Sequence, residues 1–299
     1  MHDVEQHGSA AGKPCWATLI GTDDLRARAI PRAMGLTLTA PATTNLTALL
    51  ESVSSVAERH ISMTREQWWR ENGHIGQVPA EVAALRALAE ESHGGVACEV
   101  GFNAGHSAAV LLDSSKIRLL HFDIMVQPYS NASCEHFERR YGRRFRMHRG
   151  NSRHTVKALA QRVASGAEAG CGLWFLDDAH SRLFARDMEN AMAAAAPGAV
   201  FMVDDVSSRF PKVQHVWQSF VNKGRLRQRA CVSITLPPTA GLKGWCVGTK
   251  APARTKKPAA GASGRAPPLG QGQGRTTYCP PVDHLSLQLE RLRFRCSPQ

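Results

Sequence analysis

Ala97-Cys98-Glu99-Val100-Gly101-Phe102-Asn103-Ala104-Gly105-His106-Ser107 is a short apolar run that ends in an acid, then a glycine loop, then the start of a helix-like segment reaching Leu112. An apolar strand feeding a glycine turn into a helix is how open α/β sheets hold nucleotide-like ligands at their carboxyl edge. The spacing is Glu-x-Gly-x-x-x-Gly, not the Gly-x-Gly-x-x-Gly that cradles a pyrophosphate. A diphosphate is held by backbone N–H groups at a helix start, and a neighbouring carboxylate would repel it. Glu99 instead suits a ligand that is cationic or rich in hydrogen-bond donors. A tight structural turn between strand and helix is the alternative reading of the loop taken alone.

The chain on either side repeats the pattern. Ile117 to Phe122 is a second apolar run, and it ends in Asp123. Asp123 lies 24 residues after Glu99, about one strand-helix-strand unit, where an acid accepts hydrogen bonds from a ribose diol. A third run, Phe145 to His148, leads into Gly150-Asn151-Ser152. A fourth, Gly172 to Leu176, ends in Asp177-Asp178-Ala179-His180-Ser181, and a fifth, Gly198 to Val203, ends in Asp204-Asp205. Helix-like segments separate them, and this alternation predicts a mostly parallel sheet with its site along one edge. S-adenosylmethionine, with its ammonium, sulfonium and ribose hydroxyls, fits the acids placed there.

Five stretches in this order resemble the class I S-adenosylmethionine-dependent methyltransferases. They are Glu99 to Ser107, Phe122-Asp123, Gly150 to Ser152, Phe175 to Ser181 and Pro197 to Asp205. The nearest likeness is to the group called methyltransferase domain 24, related to catechol-type O-methyltransferases, and it spans residues 75 to 250. The resemblance implies an α/β, Rossmann-like, seven-stranded, mostly parallel sheet with helices on both faces and a closing antiparallel strand pair. It implies a cofactor site of Glu99, Gly101, Phe102, Asn103, Gly105, Ser107, Asp123, Asn151, Ser152 and Asp177. Two departures stand out: Asn151 replaces the family's usual acid in Gly-Asp-Ser, and Asp178 replaces the glycine of Asp-Gly-x-His. Asparagine still offers both a donor and an acceptor to an adenine edge.

Methyl transfer is an in-line displacement at a sulfonium carbon, and aligning the reactants can lower the barrier by roughly 7–11 kcal/mol. A hydroxyl acceptor must also lose its proton. The catechol-type relatives use a divalent metal for this, and the resemblance places its ligands at Asp177, Asp204 and Asp205. Oxygen donors with open positions suit Mg²⁺, which makes a bound hydroxyl more acidic. Acids capping a helix or contacting the cofactor are the competing reading. His180, three residues beyond Asp177, is the candidate base because its side chain titrates near neutrality. His106 reads as a helix-start residue, and the pair Trp68-Trp69 as a candidate wall of an acceptor pocket.

Composition agrees with a sizeable core: 299 residues, 43% hydrophobic. No apolar stretch approaches the roughly 20 residues that span a bilayer, and the polar start Met1-His-Asp-Val-Glu is unlike a secretory signal. Residues 25–50 lack acids and are weakly transit-like, but Asp3, Glu5, Asp23 and Asp24 precede them, so a cytoplasmic location is expected, with organelle targeting as the alternative. The eight cysteines form no C-x-x-C pair, which predicts reduced, packed thiols. Thirteen of the 37 Lys and Arg residues lie between Val206 and Val282, where there is no Asp or Glu, so the formal charge of +12 resides in that segment. It could dock RNA or another anion, although the Pro/Gly/Ala-rich part has no aromatic platform before Tyr278.

The predicted organisation is an irregular extension at 1–43, the main domain with N-terminal helices at 44–250, a basic linker at 251–282 and a tail at 283–299. Helices are expected from Leu46, Thr64 and Pro79. A further helix is expected from Pro211 towards Arg229, then a strand pair at Cys231 to Leu236 and Gly244 to Val247. The leading expectation is O-methylation of a small hydroxylated molecule. An RNA or protein methyltransferase using the basic segment, and a non-catalytic cofactor-binding relative, are the alternatives.

Overall fold

Parallel strands covered on both faces read as unbroken apolar runs, and four runs of this kind form the centre of the fold. They are β2 (Val96–Val100), β3 (Arg118–Asp123), β5 (Cys171–Leu176) and β6 (Ala195–Val203). The computed structural model describes residues 16–20, 44–72, 74–92, 95–114, 116–178, 183–235, 242–252 and 292–295. The remaining strands are β1 (Trp16–Ile20), β4 (Phe145–Arg149), β7 (Leu226–Thr235), β8 (Leu242–Lys250) and β9 (Leu292–Arg295). All lie in one sheet of order β4-β3-β2-β5-β6-β8-β7-β1-β9. Strands β4 through β6 in that order are parallel, and β8 runs antiparallel to both β6 and β7. The chain winds outward from β2 to β4, then returns to β5 beside β2, so the order reverses between β2 and β5.

The helices are α1 (Thr44–Glu58), α2 (Arg65–Asn72), α3 (Pro79–Glu91), α4 (His106–Ser114), α5 (Ser130–Tyr141), α6 (Ser152–Ala164), α7 (Phe184–Ala194) and α8 (Pro211–Asn222). Side chains alternate across each strand, which divides the interior into two cores. Leu49, Leu85, Leu111 and Phe137 pack with Leu173 and Phe175 on one face. Val156, Met188 and Trp217 pack with Trp174 and Leu176 on the other. Local signals set the helix starts: Pro79 and Pro211 occupy first-turn positions, where a missing N–H costs nothing. Asn151 caps α6 by accepting from the Arg153 N–H at 3.0 Å,.

The seven-stranded sheet with its closing antiparallel pair matches the expected architecture, and the structure adds two strands at one edge. Trp16–Ile20 lies within the segment expected to be irregular, yet it pairs in parallel with β7, and β9 pairs antiparallel with it. The helix expected to run towards Arg229 stops at Asn222, because Gly224 takes φ +66° and turns the chain into β7. Thiols expected to be free are joined instead: Cys98 to Cys171 and Cys231 to Cys246. Each pair sits on neighbouring strands, a proximity that spacing along the chain cannot reveal. No helix among the described residues is long and apolar enough to cross a membrane.

Candidate active site at the carboxyl edge of the sheet

Five parallel strands end at one edge, and backbone hydrogen bonds carry the sheet pattern past them into the loops. Gly101 N–H donates to Phe122 O (3.0 Å), Gly150 N–H to Asp123 O (2.8 Å), Asp177 N–H to Val100 O (3.0 Å) and Asp204 N–H to Leu176 O (2.9 Å). The site loops are therefore fixed to one another and not merely near one another. Gly101 has φ +97°, and a Cβ there would lie 1.9 Å from the Asp177 carbonyl oxygen. Only glycine lets these two loops meet where the strand order reverses, the position at which open α/β sheets form a ligand crevice.

Glu99 is fully buried at the end of β2. Its Oε1 accepts a hydrogen bond from Ser107 Oγ, and its Oε2 lies 2.9 Å from His121 Nε2. Asp123 accepts from the backbone N–H of Phe102 at 2.6 Å and from that of Met125. It thereby ties the glycine loop to the end of β3. Phe102 contributes only its backbone here, since its ring is buried against Phe137 and His121. Asn103 takes φ +50° and accepts from the Tyr129 hydroxyl, which in turn accepts from Trp68 Nε1 at 3.2 Å. Trp68 is buried at 1% exposure and belongs to the core, while the Trp69 side chain lies outside the described residues. His106 opens α4, bonds Ser54 Oγ at 2.9 Å and stacks on His74 with ring centroids 4.0 Å apart.

Asn151 and Ser152 stand at the start of α6. Ser152 Oγ donates to Asp178 Oδ2 at 3.3 Å, so the acid absent from position 151 has a neighbour one loop away. Asp187 is also buried beside Ser152, and burial raises its carboxyl to about 6 against the pull of the Ser152 hydrogen bond. His180, the expected base, lies outside the described residues.

Asp177, Asp204 and Asp205 do converge: each offers a carboxylate oxygen within 4.8 Å of the others. Asp177 is open to solvent although protein atoms surround its carboxyl, while Asp204 and Asp205 are buried. Two unit charges at such separations repel by about 3–4 kcal/mol at an effective dielectric near 20, so this group requires protons or a cation. Two residues that the sequence did not single out join the group, and the first answers that need. Lys243 Nζ donates to Asp204 Oδ2 and, at 3.3 Å, to Asp205 Oδ1. Glu81, fully buried on α3, brings a fourth carboxyl to the group. Burial, then the charge of Asp204, raises both Glu81 and Asp177 well above the usual carboxylate range. Burial opposes the Lys243 charge, but Asp204, Glu81, Asp177 and Asp205 outweigh it and hold the ammonium above the ordinary lysine range.

As a metal centre the three aspartates fit Mg²⁺ in donor type, all being hard oxygens. They do not fit it in occupancy, because two of the three already hold the Lys243 ammonium. A legible signal for Glu81 existed: it falls on the apolar stripe of α3 formed by Val78, Val82, Leu85 and Leu88, where an acid is out of place unless partnered. Lys243 carried none, since it sits in a basic segment whose residues read as solvated. His121 looked like one polar member of an apolar strand.

Residues 98–206 match the model of a family described as a methyltransferase domain. No curated protein matches the chain. Among solved structures, an O-methyltransferase from Bacillus cereus in complex with SAH is similar at 14% identity and TM-score 0.50, covering 76% of this chain and 97% of that one. Cofactor-bound Rv0187 from MTB is similar at 15% identity and TM-score 0.51, covering 77% of this chain and 97% of its own.

Proposed function

We propose that the chain, whose residues 98–206 match a methyltransferase-domain family model, transfers the methyl group of S-adenosylmethionine to a hydroxyl of a small molecule. The observation that carries this reading is the junction at the strand reversal, where Gly101 abuts Asp177 with Glu99 and Asp123 fixed on adjoining strand ends. Asp123 has lone pairs left for the ribose hydroxyls beside its two backbone donors. Glu99 supplies negative charge under the loop that would hold the methionine ammonium. Asn151 and Ser152 face the adenine edge, with Asp178 as a nearby acceptor. Ile124 and Val126, exposed at 56% and 72%, offer apolar cover beside the ring.

In the transfer itself the carbon–sulfur bond breaks with its electron pair passing to sulfur, and the acceptor oxygen bonds the same carbon. The hydroxyl proton goes to a base, for which His180 is the candidate, with Asp177 positioned on the same loop. Asp204 and Asp205, which with Asp177 would hold Mg²⁺, are bonded to Lys243 instead. The acids gathered at this edge favour a neutral or cationic acceptor over a polyanion such as RNA, because a phosphate chain would face Asp177, Asp204 and Asp205. Of the basic segment 206–282, Arg254, Lys256, Lys257, Arg265 and Arg275 lie outside the described residues.

Calorimetric titration with S-adenosylmethionine tests the reading. Binding to the wild-type chain is expected, weakened about tenfold or more by Glu99→Ala or Asp123→Ala, consistent with the loss of a hydrogen bond to a charged group. No heat of binding to a folded wild-type chain would overturn it.

A further inference from the structure

We infer that Lys243 is the resident cation of the carboxylate cluster, standing where a divalent metal would stand among Asp177, Asp204 and Asp205, and that this edge works without a metal. The placement is built by three elements. β8 runs antiparallel to β6 with Val203 opposite Cys246, so the start of β8 lies along the loop that carries Asp204 and Asp205. Gly244 permits that approach, since a Cβ there would sit 2.7 Å from the Val206 carbonyl oxygen. α3 adds Glu81 to the same group of acids.

Lys243 Nζ is bonded to both members of the acid pair after β6. Mg²⁺ needs ligand oxygens at about 2.0–2.1 Å, and a divalent ion drawn that close to Asp204 Oδ2 would be forced against the ammonium. Metal and lysine therefore exclude one another. An ammonium has three donors, and the aspartates use two. The third remains for an acceptor oxygen, giving a developing oxyanion a point charge in the region where a metal would supply one. What the cation does for the acceptor rests on the methyltransferase reading, whereas its exclusion of metal does not.

The test uses Mn²⁺ as the probe, read by its free-ion EPR signal, on the full chain as wild type, Lys243→Met and Lys243→Arg. Wild type and Lys243→Arg are expected to leave the signal unchanged. Lys243→Met is expected to capture the ion about tenfold or more tightly than wild type, a change typical of altered metal surroundings. Its thermal midpoint should also rise with Mn²⁺, as for any ligand that binds only the folded state. Capture of Mn²⁺ by the wild-type chain would overturn the inference. So would absence of capture in every variant, because Lys243 would then be keeping nothing out. If Lys243→Met fails to fold, Lys243→Gln takes its place, and the wild-type measurement still decides against the idea if it binds. Titration of the same samples with S-adenosylmethionine separates the two conclusions: failure to bind it sinks the methyltransferase reading and leaves the metal result standing.

Discussion

Glu99 Oε2 and His121 Nε2 lie 2.9 Å apart across two adjacent parallel strands, with both side chains fully shielded from water. Register creates the pair, since Glu99 is the direct partner of His121 between β2 and β3. Ser107 Oγ holds the other carboxylate oxygen. The acid that marks the cofactor loop is thus clamped from its neighbouring strand and from the helix that follows.

Removing one of two buried polar groups in contact leaves the other without a partner, at a cost of about 1–3 kcal/mol. His121→Leu should therefore lower the thermal midpoint by several degrees and weaken S-adenosylmethionine binding together. His121→Gln, which retains a donor, should recover part of both. A cofactor affinity that is unchanged in a destabilised His121→Leu protein would show that the clamp serves stability alone.

Gly101→Ala places a methyl group 1.9 Å from the Asp177 carbonyl oxygen at a φ of +97°. Backbone cannot yield as a flexible side chain does, so the two loops must separate. The expected outcome is loss of detectable cofactor binding in calorimetry with far-ultraviolet circular dichroism retained. Binding within twofold of wild type would mean that the crevice at the strand reversal is not the cofactor site.

The stacked His74 and His106 give the fold an acid-sensitive point. Burial, then the charge of Arg65, lowers His74 to about 4, and burial lowers His106 well below its usual value. Groups that protonate more readily when unfolded contribute stability that is full above the unfolded value and lost as pH falls. For His74 that window runs from about 6.5 down to about 4. His74→Phe should flatten the denaturant-midpoint curve in this range by about 1–3 kcal/mol, and an unaltered curve would remove His74 as its source.

Asp187 acts in the opposite sense. Its carboxyl is raised to about 6 by burial, so the folded state holds the proton more tightly and stability falls as pH rises from about 4 to about 6. Asp187→Asn should be more stable than wild type above pH 6 by up to about 3 kcal/mol. Equal stability of the two proteins at pH 7 would show that Ser152 and Arg153 compensate the charge.

The run from Ala97 to Ser107 already contained its strand, its glycine turn and its helix start, because each depends on neighbours within a few residues. The same holds for the apolar strands ending in Asp123, Asp177 and Asp204. Since parallel strands share one direction, their terminal acids had to fall on one edge. The convergence of the three aspartates was legible for that reason.

Which groups those acids meet was not legible, even though Glu81 stood out as an acid on an apolar stripe. Glu81 arrives from a helix that precedes the first motif, and Lys243 from a strand that follows the last, so no local spacing relates them to Asp204. His121 was hidden in the same way, as its meaning depends on lying opposite Glu99 in the sheet. The edge strands at Trp16–Ile20 and Leu292–Arg295 are short segments that gain their hydrogen bonds only by pairing with β7 and with each other. Sequence by itself determined the periodicities, the turns and the order of the acidic strand ends, which are local properties of the chain. Tertiary structure alone decided which charge answers which, because electrostatic partners are chosen by distance through space, and here they come from the far ends of the domain.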